Sequence, residues 1–139
     1  MKKLLILLLL SSSFIVANIA IVKKTTGEVE IKRSGKVITI KKGSMLKNGD
    51  IIFTKSKSSI GVIFDDGTTL SLGEKAIFVI HQFKVKPSKK EYKVDLELKK
   101  GKAMFRSGKI GKLSPKSVKF RIPEGAIGIR GTKFVVEVK

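Results

Sequence analysis

The chain reads as an all-β protein on three observations. Apolar and charged residues alternate at the strand period, turn chemistry recurs every eight to twelve residues, and no sustained helical period follows the N-terminal leader. The clearest alternation sets Tyr92, Val94, Leu96 and Leu98 against Lys93, Asp95, Glu97 and Lys99. Successive strand residues point to opposite faces, so this segment has one apolar face and one charged face. Short strands at such spacing suit a sandwich, a barrel or a solenoid, and pattern alone leaves the three open.

The elements follow in order. Met1 to Ala17 has the three parts of an export leader: Lys2 and Lys3, the apolar run Leu4 to Leu10, and a small-residue exit. Cleavage is expected after Ala17, or as late as Ala20, leaving an all-β domain over 21–139. An uncleaved anchor is the other option, although the apolar run is short for a membrane span. Val29 and Ile31 alternate with Glu28, Glu30 and Lys32, and the Ser34-Gly35 turn leads to Ile38 and Ile40, a hairpin signal. Asn48-Gly49-Asp50 precedes an apolar strand, and Asp65-Asp66-Gly67 reads as a hairpin turn. Ala76 to Phe83 is an apolar-leaning strand, and the Lys-rich stretch Lys84 to Lys93 reads as an exposed, mobile hairpin connection. Further turns at Ser107-Gly108, Ser114-Pro115 and Pro123-Glu124-Gly125 separate two last strands, carried by Val118, Phe120, Ile122 and by Phe134, Val136, Val138. About 120 residues after the leader make one domain with one modest core.

The 139 residues carry a formal net charge of +19, with 30 basic and 11 acidic side chains. Losing Lys2 and Lys3 with the leader leaves 28 against 11, or +17. Lysine outnumbers arginine 26 to 4, whereas base reading and bidentate phosphate contacts favour arginine. Tyr92 is the only tyrosine and there is no tryptophan, so stacking platforms for single strands are sparse. Nucleic acid is therefore set aside as a partner. Lysines on the solvent faces of strands keep a β-rich protein soluble. The chain has no cysteine, which excludes disulfides and a lipid-modified cysteine.

Catalytic chemistry finds little support in the residues. His81 is the single histidine and fits a solvent-edge or satisfied position on its strand better than a base. One imidazole without thiols makes a poor transition-metal site, so no metal and no cofactor are expected. Ile63-Phe64-Asp65-Asp66-Gly67-Thr68 opens like the active-site loop of an aspartic protease. Its glycine directly follows the aspartate, however, so the loop that lets two carboxylates share a proton is not written here.

The last fifteen residues stand apart. Gly125, Gly128 and Gly131 interrupt an apolar run, and Arg130 sits just before Thr132 and Phe134. Glycines so placed suggest bends or close backbone approach, and a guanidinium in such a run needs a partner because it stays charged. Asp50 is the expected partner, tying the last strand back to the Gly49-Asp50 turn. Exposure of Arg130 to an anionic ligand is the alternative.

Matching pieces recur along the chain: Gly27-Glu28-Val29, then GSMLKNGDIIFT over 43–54, GVIFDDGTTL over 61–70 and LKKGKAMF over 98–105. Ending in Arg130-Gly131-Thr132-x-Phe134, this ordered set resembles the FecR domain, the periplasmic module of bacterial iron-siderophore signalling regulators. The resemblance spans about residues 25 to 138. It implies a twisted, solenoid-like stack of short strands, with a sandwich as the alternative. It also implies a structural role for Gly49, Asp50, Asp66, Gly67, Gly101, Arg130, Gly131, Thr132 and Phe134. The function it implies is a non-enzymatic periplasmic interaction or sensing module whose partner is another envelope protein. The anti-sigma segment of full regulators is not expected, because Lys2 and Lys3 start the leader at once. A cationic binder of lipopolysaccharide, anionic lipid or wall glycan is the alternative function, driven by charge and weakened by salt.

Overall fold

The computed structural model describes residues 17–129 and 133–139. Its strands are β1 (Asn18–Thr26), β2 (Val29–Arg33), β3 (Lys36–Thr39), β4 (Met45–Lys47), β5 (Ile51–Thr54), β6 (Ser59–Phe64), β7 (Thr69–Leu72), β8 (Ile77–Lys86), β9 (Glu91–Arg106), β10 (Val118–Ile122), β11 (Gly125–Ile127) and β12 (Lys133–Val138). A single short helix, α1 (Ile110–Leu113), lies between β9 and β10. The all-β class is borne out. The expected twisted stack takes the form of one curled sheet, ordered β3-β2-β5-β8-β9-β7-β6-β1-β4, with β10 and β12 also paired to β9 and β11 to β10.

The alternation read from the sequence sets the faces. Val94, Leu96 and Leu98 are buried while Lys93 and Lys99 are exposed, and Val118 and Phe120 follow suit. Side chains from every strand but the edge strand β3 meet in one core, in which Phe78, Phe105, Phe120 and Phe134 form a chain of ring contacts 5.0–5.9 Å between centroids. Such offset and edge-on pairs add to simple area burial. The Ser34-Gly35 hairpin is confirmed, with both residues at positive φ, as a two-residue turn between twisted strands requires.

Strand β9 organises the whole. Its first part pairs with β8 on one side and β10 on the other, whereas residues 101–106 pair with β12 and the neighbouring 103–106 with β7. The change of partners falls at Gly101, which has φ +96°. A Cβ there would stand 2.6 Å from the Ala76 Cα, so glycine is required both for the dihedral and for the approach.

One expectation is corrected. Lys84 to Lys93 is largely ladder and not a long mobile connection: Lys84 pairs with Lys93, Val85 with Tyr92 and Lys86 with Glu91, leaving only 87–90 to turn. The reason is that Val85 and Tyr92 continue the inward alternation and pack against the core. The charged residues between them gave the stretch its loop-like composition.

Candidate functional site

The motif residues lie at two junctions. At the first, Gly49 donates its N–H to the Ile80 carbonyl at 2.7 Å, and the Ile80 N–H returns to the Asp50 carbonyl at 3.0 Å. The Asp50 side chain is fully buried. Its Oδ1 accepts from Arg33 Nε at 2.8 Å, and its Oδ2 accepts from Arg33 Nη2 at 2.7 Å and from the Lys47 N–H at 2.8 Å. Arg33 Nη2 also donates to the Met45 carbonyl at 3.1 Å. One guanidinium fork thus joins the end of β2 to β4 and to the start of β5, in the bidentate geometry that makes arginine unlike lysine. Its hydrogen bond to Asp50 pushes the Arg33 pKa further up, against the lowering effect of burial.

The second junction is the β6–β7 turn. Asp66 Oδ1 accepts the Thr68 N–H at 2.8 Å, and Oδ2 accepts the Ile110 N–H at 3.0 Å. The Asp66 carbonyl accepts from the Lys109 N–H, and Thr68 Oγ1 accepts from the Gly108 N–H, both at 3.0 Å. Gly67 closes the turn by donating to the Phe64 carbonyl at 2.9 Å. Asp66 therefore does two jobs, fixing its own turn and docking the start of α1. Gly108 passes so close that a Cβ would lie 2.3 Å from the Asp66 carbonyl oxygen.

Of the other motif positions, Gly101 is the crease in β9. Phe134 stacks on Phe105 and meets Phe120 edge-on. Arg130, Gly131 and Thr132 lie outside the described residues, and with them the expected tie from Arg130 to Asp50. The Asp50 carboxylate already has Arg33 as a charged partner. Arg33 and Gly108 are the residues that sequence reasoning missed. The available signal for Arg33 was its rarity, one of four arginines against 26 lysines.

The outward surface is of another kind. His81 stands at a register shift between β8 and β9, where a bulge turns it outward, and its Nε2 lies 2.8 Å from Glu97 Oε1. Arg121 pairs with Asp95 alongside. Edge strand β3 exposes Val37 and Ile38. Beside β12, which pairs only with β9 among the described residues, Leu72, Met104 and Val135 line a cleft of about 350 Å³ together with Ser71, Gly73 and Lys102. Val135 is 55% exposed and Met104 37%.

Comparison with curated proteins and with solved structures finds no match. A family model described as FecR protein matches residues 50–139. The match opens on Asp50 itself and takes in the second junction, the Gly101 crease, Phe134 and the Arg130-Gly131-Thr132 run, while the earlier Gly27-Glu28-Val29 piece lies before it. With that ordered set inside the matched span, which covers well over half of its length, the chain belongs to the FecR protein family.

Proposed function

We propose that this FecR-family chain is an exported, non-enzymatic module of the periplasm that docks another envelope protein. The cleft beside β12 carries this reading. It places Met104 and Val135 on the solvent side of a sheet whose outward positions are otherwise rich in lysine, with the edge of the buried Leu72 at its floor. An open strand edge beside an apolar cleft suits an extended partner segment, with backbone hydrogen bonds giving affinity and the side-chain pocket giving selectivity. A non-enzymatic role accords with the two buried carboxylates. Asp50 and Asp66 both spend their oxygens on internal hydrogen bonds that hold the fold.

The test is capture from envelope extract with a photo-crosslinking residue at position 135, run in parallel at low and high salt. One discrete protein crosslinked at both salts, and lost when Met104→Asp is added, is the expected result. Anionic lipid or glycan captured at low salt alone would give the function to the lysine-covered faces instead.

A further inference from the structure

The sequence offers two alanines as the end of the leader, and the fold distinguishes them. Strand β1 opens at Asn18, and its next two residues already belong to the core: Ile19 is 6% exposed and Ala20 2%. Ala20 stands opposite Phe64 of β6 and Leu46 of β4, and the Ile19 carbonyl accepts the Asp65 N–H at 3.1 Å. Cutting after Ala20 would strip these residues from the sheet. Among the described residues, cutting after Ala17 removes only Ala17 itself, which is exposed.

Ala17 and Asn18 line a cavity of about 260 Å³ that also includes Asn48, Asp65, Gln82 and Lys84. Among the described residues the Asp65 carboxylate has no hydrogen-bond or ion-pair partner. Lys84 is engaged elsewhere, with its Nζ 2.8 Å from Glu91. Asp65 is exposed overall, yet partial desolvation of its carboxylate and then the neighbouring charge of Asp66 push its pKa up, so a nearby cation would be favoured.

We infer that the leader is cut between Ala17 and Asn18, and that the ammonium group created at Asn18 is held in this cavity beside Asp65. In the cut, water adds across the Ala17–Asn18 peptide bond. The new carboxylate departs on Ala17 with the leader, and the Asn18 nitrogen keeps its electron pair and takes up protons to become the ammonium. An α-amino group with an ordinary pKa of about 7.7–8.0 is largely charged at neutral pH, and a nearby carboxylate favours that form. Processing would thus supply a counter-charge that Asp65 lacks among the described residues.

The inference rests on the export reading, and the experiment separates the two. The full chain is expressed with a C-terminal tag in a bacterial host, the cells are fractionated, and the intact mass of the protein is measured in each fraction. A periplasmic product starting at Asn18 is expected. A product starting at Ile21, or an uncut chain held in the membrane, would overturn the inference while leaving export standing. An uncut chain in the cytoplasm would overturn both.

The contact has its own test. The Asn18-start protein and the same protein with a neutral Gly-Ser-Gly extension are each compared with their Asp65→Asn variants. The substitution should lower the Tm of the Asn18-start protein by about 3 °C and leave the extended protein unchanged or slightly more stable. The same effect in both backgrounds would overturn the ammonium–Asp65 contact.

Discussion

Asp50 and Asp66 occupy like positions, each beside a glycine in a turn that leads into a strand, yet they are satisfied by different means. Asp50 meets a guanidinium, whereas Asp66 meets two backbone amides and, among the described residues, no cation. The difference follows from surroundings. Asp50 is enclosed where β2, β4, β5 and β8 converge, and an enclosed carboxylate needs a counter-charge as well as hydrogen bonds. Asp66 sits where a turn and the start of α1 both present unpaired N–H groups, which neutral donors already provide. Equal motif weight therefore conceals unequal electrostatic design.

The largest effect should come from removing the cation. Arg33→Ala leaves the buried Asp50 carboxylate with, among the described residues, the Lys47 N–H alone, and should cost about 3–5 kcal/mol, read as a drop in the urea midpoint. Arg33→Lys keeps the charge and loses the fork, so its cost should fall between that and wild type. Equal stability of the lysine variant and wild type would break the claim that geometry, and not charge alone, matters at this junction.

Next comes Gly108→Ala, which attacks the Asp66 junction without touching a charge. Its Cβ would press on the Asp66 carbonyl and the Thr68 nitrogen, at a cost of about 3 kcal/mol. Proteolysis should then increase first around α1. Asp66→Asn is expected to be milder, about 1–3 kcal/mol, because one carbonyl oxygen still accepts while the amide nitrogen faces an N–H. If Asp66→Asn proved as costly as Arg33→Ala, the contrast between the two junctions would fail.

The smallest effect concerns pH. With the Asn18 nitrogen still acylated, Asp65 has a raised folded pKa, so the folded state holds its proton more tightly than the unfolded chain. Its contribution to stability should therefore grow as pH falls through that raised pKa toward the unfolded value of about 3.9. Replacing Asp65 with Asn should flatten this part of the Tm-against-pH curve.

Much of this was legible beforehand. Strand faces could be read from Tyr92 to Leu98 because burial on a sheet has period two, and the hairpins announced themselves through Ser34-Gly35 and Asp66-Gly67. Pairing across distance was not legible. Arg33 reaches Asp50 because β2 and β5 align Lys32 with Ile51, a register that no local pattern encodes. Gly108 looked like an ordinary turn residue because its partner, Asp66, lies 42 positions earlier in the chain. The hairpin arms around 87–90 were hidden by lysines, which are as common on the solvent side of a strand as in a loop.

Strand β9 is one unbroken backbone serving both halves of the sheet, with Gly101 as its crease. Local opening of one half would have to pull on hydrogen bonds that anchor the other. The amides of Leu96 and Phe105, on opposite sides of the crease, should then exchange with solvent at a common slow rate set by whole-molecule unfolding. Tension applied at either end of β9 is then shared along the same sixteen residues.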